Sequence, residues 1–389
     1  MDSSQKILII SPFFFPEPIS TGKFNTDMVL KLRDKGHQVT VLCSHPFYPD
    51  WQTKYSNDQL EGIKIIRGGK KIKYPKNILL RRTVLEIWYA FFVIRKIQKI
   101  QKKMDIIIPI FPPSFPFYMT LFFLTKRIKK IGIVHDLQIV FSQKNKSFLN
   151  NIVSFLIKKI EKQCFKQCDK LIFLSEEMKN VALEVYNLRE LTCQVQYPFV
   201  TIKEKFSSKN LQDILPQNQQ NIVYSGALGE KQNPYELYQV FNKITQNISN
   251  TCCYFFSQGP IFKELEKKNL NRKILFYPLV SKEDIEELYD RSSIQIVPQL
   301  PNTSKGSLPS KLPNILASGT KILVITDENS ELEKIFIDNN LNEVITSWDH
   351  GIIITSIKKL LTTQVDINKQ KNIAFELFNI NSLIGKIIT

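Results

Sequence analysis

Glycine and histidine are scarce in this chain, with 13 Gly and 4 His among 389 residues. So few glycines, together with an apolar fraction of 43%, indicate packed globular structure and argue against a disordered chain. The chain opens an α/β unit twice with a strand, a loop and a helix, and neither loop carries the G-x-G-x-x-G pattern. That absence disfavours a nicotinamide-dependent dehydrogenase.

Cysteine is also sparse, and its spacing matches no known ligand pattern. The six residues stand singly, at a C-x3-C spacing or as an adjacent pair, without a histidine cluster: Cys43, Cys164, Cys168, Cys193, Cys252 and Cys253. This favours small buried side chains in a reducing cytosol over a metal site or a disulfide framework. Because "MDSSQ" leads directly into a strand pattern, we expect no secretory segment and no export.

No apolar run is suited to crossing a bilayer. Val84–Ile94 has eleven mostly apolar residues, whereas a spanning helix needs about 20. The run Ile106–Leu124 is longer, but the four prolines in its first half break a helix. It is predicted to form a buried strand, a loop and a helix.

Positive charge is concentrated in the first half of the chain. Residues 1–200 hold 32 Lys and Arg against 16 acids, whereas residues 201–389 hold 21 against 20. Such asymmetry predicts that the first half meets an anionic partner. No aromatic-basic motif of a nucleic-acid binder is present, so we do not expect that partner to be nucleic acid.

The stretch Lys70–Lys103 has 11 basic residues and one acid, Glu86. At its centre, four aromatic side chains are flanked by basic ones: Trp88, Tyr89, Phe91 and Phe92 between Arg81, Arg82, Arg95 and Lys96. This pattern predicts a helix lying in the interface of an anionic membrane. A core helix with solvated basic ends is the alternative.

The two strand–loop–helix openings, Lys6–Leu32 and Asn221–Phe241, predict two doubly wound α/β domains facing each other across a cleft. The polar stretch Ser207–Gln220 is taken as the linker. We therefore expect an N-terminal domain over residues 1–200 and a C-terminal domain over residues 201–371. A final helix, about 372–389, is expected to pack back on the first domain.

Ligands of open parallel sheets bind outside the carboxyl ends of the strands. Four loops of the second half are predicted there: Gly226–Gln232, Ser257–Pro260, Tyr277–Val280 and Leu300–Lys311. Two of their features suit a diphosphate. Small residues precede Lys231, and Ser310 with Lys311 opens a helix whose N–H groups favour an anion. The alternative for each is an ordinary turn with a solvated lysine.

Seven segments, in order along residues 7 to about 335, are similar to one enzyme family: "FFPEPISTGKFN", "RDKGHQVTVLCSHPFYPDW", "PPSFPFY", "IVHDL", "CDKLIFLSEEM", "SGALGEKQ" and "PSKLPNILASG". They resemble the GT-B glycosyltransferases of family 4, in the branch that builds bacterial surface polysaccharides such as colanic acid and O-antigen. The resemblance implies two Rossmann-like domains and retaining transfer of a sugar from a UDP- or GDP-sugar to a lipid-linked acceptor. It implies no metal or other cofactor, and a cytoplasmic enzyme peripheral on the inner face of the plasma membrane.

Site residues follow from the same resemblance. Lys231, Lys311 and the Ser310 hydroxyl, with amides near Gly229, would stabilise the departing diphosphate. The other expected donor-binding residues are Gly226, Gln232, Gly259, Tyr277 and Pro278, the last two meeting the nucleotide base.

In the first domain, Ser20-Thr21-Gly22-Lys23 matches the family's glycine loop, where Gly22 would admit the sugar or its phosphate. His135 is expected to bind sugar, and Asp136 to orient a sugar hydroxyl as a catalytic residue. Alternatively, Asp136 caps its own loop.

The sequence departs from the family at two places. The broader family has two glutamates where this chain has Gly306 and Asn314, although the "PSK" of Pro309–Lys311 is kept. A Trp-Pro pair usual in the branch is replaced by Gln138 and Ile139. Two rivals remain: a nucleotide-sugar 2-epimerase of the same architecture, and a catalytically silent subunit that anchors a transferase at the membrane. A silent anchor would not bind nucleotide.

Overall fold

Parallel strands organise both halves of the chain. The computed structural model describes residues 4–17, 19–125, 127–138, 148–202, 209–304 and 308–389. It divides into two compact units, the first formed by Met1–Tyr197 with Ile380–Thr389 and the second by Pro198–Asn379.

The first unit contains a seven-stranded sheet in which every strand pair is parallel, with the order β3-β2-β1-β4-β5-β6-β7. Its strands are β1 (Lys6–Ile10), β2 (Gln38–Ser44), β3 (Ile63–Gly68), β4 (Ile106–Phe111), β5 (Lys129–Val134), β6 (Lys170–Phe173) and β7 (Cys193–Val195). Its helices are α1 (Ser20–Asp34), α2 (Ile78–Ile100), α3 (Phe115–Thr120), α4 (Phe148–Lys166), α5 (Glu176–Tyr186) and the C-terminal α13 (Ile380–Ile388).

The spacing of apolar residues in the sequence accounts for the burial of β1 and α1. Strand β1 is buried from Ile7 to Ile10, as expected of a parallel strand covered on both faces. Helix α1 buries Phe24, Met28 and Leu32, which recur at i, i+4 and i+8. Gly36, at φ 87°, ends it in the left-handed conformation that glycine adopts at little cost. The strand–loop–helix opening predicted for Lys6–Leu32 is therefore confirmed.

The second unit holds a six-stranded parallel sheet of order β10-β9-β8-β11-β12-β13. Its strands are β8 (Gln220–Ser225), β9 (Thr251–Phe256), β10 (Ile274–Tyr277), β11 (Ile294–Pro298), β12 (Ile322–Ile325) and β13 (Glu343–Ile345). Its helices are α6 (Pro234–Asn247), α7 (Pro260–Lys268), α8 (Ile285–Asp290), α9 (Leu312–Ser318), α10 (Glu331–Asp338), α11 (His350–Thr362) and α12 (Ile367–Leu377). Two doubly wound sheets confirm the predicted fold class.

Helix starts follow the sequence signals only in part. Ser175 caps α5, because its Oγ accepts the Met178 N–H at 3.0 Å. Asn233 precedes α6 in the left-handed conformation and makes no side-chain cap, although Pro234 occupies the first turn as expected. Left-handed residues other than glycine are mostly asparagine in the described part of the chain: Asn187, Asn233, Asn250, Asn302, Asn329 and Asn340, with Trp51.

The segment predicted to be a linker contributes to the core of the second unit. Ser207 and Ser208 lie outside the described residues, but Leu211 and Leu215 pack with Val223, Tyr254 and Leu288. The linker prediction was wrong because a polar composition concealed two apolar residues four apart, which is one helical turn.

Leu215→Ala is expected to lower the free energy of unfolding of the second unit by about 3 kcal/mol, because its fully buried side chain would leave a cavity. Leu270→Ala is the matched control in the same unit, since Leu270 is 95% exposed and its loss should cost less than about 0.5 kcal/mol. Urea unfolding measures both. Equal midpoints for Leu215→Ala and wild type would contradict this core assignment.

Candidate active site

The carboxyl edge of the second sheet is held together by hydrogen bonds between the loops that follow its strands. Ser257 donates its backbone N–H to the Tyr277 carbonyl at 2.9 Å and its Oγ–H to the Gly226 carbonyl at 2.6 Å. The Leu300 N–H donates to the Lys231 carbonyl at 2.8 Å. All four loops predicted to meet the donor therefore lie at one edge, where an open sheet binds its ligand.

Lys311 lies beneath the first of these loops. Its Nζ donates to the carbonyls of Ser225 at 2.9 Å and Ile296 at 3.4 Å, and it lies 4.0 Å from the ring centroid of Tyr224. A β-carbon added at Gly226 would lie 3.9 Å from Lys311 Cδ, in ordinary contact. Burial lowers the pKa of Lys311 from 10.5 to about 7 because the charged form loses its water.

The amides expected to bind phosphate are largely occupied within the protein. The Gly226 N–H donates to the Phe256 carbonyl at 3.0 Å, and the Gly229 N–H donates to Gln232 Oε1 at 3.0 Å. The Gly229 amide is therefore paired within the protein, and Gln232 uses its side-chain oxygen to close the turn, so the donor contacts expected of both residues stay predictions. Between them, the Ala227 amide forms no hydrogen bond with a described group.

Lys231 and Ser310 are both exposed at this edge. The short helix expected to open at Ser310 and Lys311 begins at Leu312, with Lys311 as its N-cap and no side-chain cap bond. Gly306 lies outside the described residues. Asn314, the other position that departs from the family, accepts the Thr201 N–H at 2.8 Å through Oδ1.

Gly259 and the segment expected to meet the nucleotide base lie on the adjoining loops. Gly259 has φ 113°, which only glycine adopts readily, and it directly precedes α7. The Tyr277 ring stacks on Phe256 with centroids 5.4 Å apart, and its carbonyl is occupied by Ser257. Pro278 is exposed.

In the first unit, the predicted glycine loop is the first turn of α1. Thr21, Gly22 and Lys23 are helical, and only Lys23 is exposed. A β-carbon at Gly22 would lie 3.0 Å from the Glu17 carbonyl oxygen, so this glycine accommodates the protein's own backbone. The expected close approach of a ligand at Gly22 is not needed to explain the residue.

His135 and Asp136 follow β5 directly, as predicted. The His135 ring meets Phe24 edge-on at 4.6 Å, and its Nε2 has no hydrogen-bond partner among the described residues. Burial lowers the pKa of His135 to about 3, so the ring is neutral at physiological pH. Asp136 Oδ1 accepts the neighbouring Leu137 N–H at 3.1 Å, the loop-capping contact of the alternative interpretation.

Two buried glutamates to which no role was assigned from the sequence hold this segment. Glu161 Oε1 accepts the backbone N–H of Gln138 at 3.1 Å, and Glu86 Oε1 accepts its side-chain amide at 3.0 Å. Burial raises the pKa of Glu86. Gln138, the departure from the usual Trp-Pro pair, thus anchors the loop after Asp136, while Ile139 lies outside the described residues. The sequence did carry a signal for Glu86, because it is an isolated acid within the apolar run Val84–Ile94.

Glu17 was also missed. Its carboxylate accepts the backbone N–H groups of Phe47 and Tyr48, which fixes the loop after β2 to the loop after β1. Burial raises the pKa of Glu17 to about 7 despite these hydrogen bonds. The sequence signal is an acid between two prolines, Pro16 and Pro18, of which Pro18 lies outside the described residues.

Helix α2 corrects the expectation of an aromatic interfacial face. Tyr89 is buried and donates its OH to the Leu42 carbonyl at 2.6 Å, Trp88 donates Nε1–H to Tyr74 at 3.0 Å, and the Phe92 ring lies against Gly68. Of the four aromatic residues, only Phe91 is exposed, at 65%. Across the described residues, no helix has the length and apolarity needed to cross a bilayer.

The cysteines are free thiols, and all but Cys252 are buried. In the described part of the chain, no group of three or more His, Cys, Asp or Glu side chains is arranged to hold a metal ion.

Comparison with known proteins gives the family. Residues 22–204 match the model of Glycosyltransferase Family 4, and residues 207–375 match that of Glycosyl transferases group 1. The chain belongs to the GT-B glycosyltransferases of family 4.

Three individual proteins similar to this chain share 25% sequence identity or less with it. The chain is 25% identical over 352 residues to WcaI of Escherichia coli K12, named as a colanic acid biosynthesis glycosyl transferase, with 84% of each chain covered. Its fold is similar to that of WaaG, a glycosyltransferase involved in lipopolysaccharide biosynthesis (TM-score 0.71, 14% identity, 98% and 99% covered). It is also similar to HepE of Anabaena, solved with UDP and glucose (TM-score 0.67, 11% identity, 98% of each covered).

Lys311→Met is expected to make the protein more stable than wild type at pH 7, with an advantage that shrinks toward pH 10. The folded-state pKa, about 7, lies below the ordinary 10.5, so the unfolded state binds more protons between these values and wild-type stability rises with pH there. Denaturant unfolding at pH 7, 8.5 and 10 measures this.

Lys231→Met is the control, since it removes an exposed lysine from the same edge of the sheet. A Lys311→Met variant less stable than wild type at pH 7 would show that the contacts to carbonyls and to Tyr224 outweigh the desolvation of the ammonium.

Proposed function

We propose that the protein is a retaining glycosyltransferase that moves a sugar from a UDP- or GDP-sugar to a lipid-linked saccharide during cell-surface polysaccharide assembly. The observation that carries this proposal is the carboxyl edge of the second sheet, where Lys311, Lys231 and the Ala227 amide lie on adjoining loops. The names of WcaI and WaaG support the polysaccharide role, and HepE, solved with UDP and glucose, supports the donor class.

The reaction needs positive charge where the diphosphate leaves. The bond between the anomeric carbon and the diphosphate oxygen breaks, a bond to the acceptor oxygen forms on the same face, and the acceptor's proton passes to the diphosphate. Lys231 supplies a cation from the exposed side of the edge. Lys311 is held at a pKa of about 7, so an arriving anion favours its protonation and gains a charge at that moment.

The lysines also bear on the proposed independence from metals. Fixed cations of the protein neutralise the diphosphate in place of a divalent ion, and no other cofactor takes part in the transfer. Donor turnover is then insensitive to a chelator, which gives this part of the proposal a direct test alongside the variants below.

Lys231→Ala and Lys311→Ala are each expected to lower turnover of the donor about 100-fold, because one donor to the developing charge is worth about 3 kcal/mol. Release of nucleotide diphosphate from a panel of UDP-, GDP- and dTDP-sugars measures this. Lys267→Ala, an exposed lysine in the last turn of α7, is the matched control and should keep the wild-type rate. Wild-type rates in both active-site variants would remove the proposed site.

The same assay separates the rival functions. A nucleotide-sugar 2-epimerase would release an altered free sugar without any acceptor, and a silent anchoring subunit would bind no nucleotide in calorimetry. Neither rival is favoured by a specific contact among the described residues.

The proposal places the enzyme at the cytoplasmic face of the plasma membrane, held by the first unit. Helix α3 packs against α2 and α4, and these three elements with their adjoining turn expose apolar side chains: Leu80, Ile87, Phe91, Phe122, Phe123, Phe155 and Leu156. The unit around them carries the basic excess of the chain. Exposed apolar residues within a basic surface suit an anionic leaflet.

Phe91→Ser is expected to weaken binding to phosphatidylglycerol vesicles about tenfold, because a buried Phe contributes roughly 1.5–3 kcal/mol. Leu191→Ser is the matched control, since Leu191 is 98% exposed before β7, at the other edge of the sheet from β3. Vesicle co-sedimentation measures both. Equal losses in the two variants would argue against a specific membrane-facing surface.

A further inference from the structure

The side chain of one arginine in the first unit lies over a tryptophan ring. The Arg81 guanidinium is 4.4 Å from the ring centroid of Trp51. Its Nε is buried without a hydrogen-bond partner, and none of the ion pairs among the described residues involves it. A guanidinium over an aromatic ring is held by a cation–π contact. Its N–H groups can then donate to an acceptor beside the ring.

A second cation, on the loop that follows β3, also lies over an aromatic ring. Lys70 Nζ lies 4.1 Å from the ring centroid of Tyr55, which is 56% exposed. We call Trp51, Tyr55, Lys70, Tyr74 and Arg81 the aromatic–cationic platform. From residue 69 to residue 82 the sequence has six basic residues and no acid, so the positive field around this platform is not offset locally.

Contacts within the protein hold the Trp51 and Tyr74 side of the platform in place. Trp51 meets Tyr74 edge-on at 5.3 Å, Tyr74 accepts the Trp88 N–H, and Gln52 pairs with Lys73 in an antiparallel bridge. Trp51 is held at φ 56°, a left-handed conformation that costs a bulky residue free energy. The loops that carry it follow β2 and β3, at the carboxyl edge where parallel sheets bind ligands.

The surroundings indicate what kind of anion fits. Leu80, next to Arg81 in α2, is exposed, and Ile87 and Phe91 continue the exposed apolar surface along the same helix. A planar guanidinium pairs with phosphate oxygens in a bidentate fashion, and exposed apolar side chains beside it suit a hydrocarbon chain. The combination favours a phosphate group attached to a lipid over a free anion.

We propose that the aromatic–cationic platform binds the diphosphate of an isoprenoid-linked acceptor, with Arg81 as the specific contact and Lys70 as the second cation. This inference rests on the proposed function and assigns its acceptor to particular residues. The lipid chain continues along Leu80, Ile87 and Phe91 into the membrane.

The test compares two kinds of phosphatidylcholine vesicle with equal negative charge, one containing a long-chain isoprenyl diphosphate and the other phosphatidylglycerol. The full-length wild type is expected to bind the first about tenfold more tightly, the size of one good charge-assisted contact. Arg81→Lys keeps the charge but loses the planar fork, so its ratio should fall close to one. Arg95→Lys, an exposed arginine of the same helix, is the matched control and should keep the wild-type ratio.

Lys70→Gln tests the platform independently, in case Arg81→Lys fails to fold. Because Lys70 is exposed, this variant should fold normally and lower the ratio by a smaller factor. Equal binding of wild type to both vesicles, or an unchanged ratio in Arg81→Lys, would overturn the proposal. Competition by inorganic pyrophosphate as strong as that by isoprenyl diphosphate would overturn the lipid assignment.

Nucleotide binding distinguishes this inference from the function on which it rests. UDP and GDP binding, measured by calorimetry, should be the same in Arg81→Lys and wild type, because the donor loops belong to the second unit. A wild type that binds nucleotide but shows no preference between the two kinds of vesicle would end this inference alone. A wild type that binds no nucleotide would end the proposed function.

Discussion

Parallel strand pairing is the constraint on which the rest of the structure depends. Because every ladder in both sheets is parallel, all strands of a sheet end at one edge, and the loops after β8, β9, β10 and β11 are brought together. Residues far apart in sequence, such as Ser225 and Lys311, are thereby brought within 2.9 Å. The candidate donor site follows from that geometry.

Lys311 lowers the stability of the folded protein at this edge of the sheet. The Lys311 ammonium group lies beneath a loop and contacts only carbonyls and an aromatic face among the described residues, so it loses hydration that those contacts do not fully replace. Such a group is costly until an anion arrives, and strongly shifted lysines are characteristic of functional sites. Glu86 and Glu161 differ from Lys311, because each accepts a hydrogen bond from an N–H group of Gln138 and so has a partner within the fold.

The sequence was sufficient to predict the fold class, the parallel sheets and most strands, because apolar runs between turn signals are local patterns. It was insufficient where tertiary contacts decide. Gly22 was assigned to a ligand loop, yet it lies in α1 against the Glu17 backbone. The sequence did not reveal that the side-chain oxygen of Gln232 closes the turn at Gly229. Tyr89 and Phe92 look interfacial in the sequence, but the sheet buries or covers them.

Asparagine takes the place of glycine at several left-handed positions, and this affects the entropy that the chain loses on folding. Asn187, Asn250 and Asn340 each turn the backbone at a helix or strand end where glycine would be the usual choice. Each carries some local strain in the folded state. In exchange, the unfolded chain explores fewer backbone conformations than a glycine-rich one would, so less entropy is lost when these turns form.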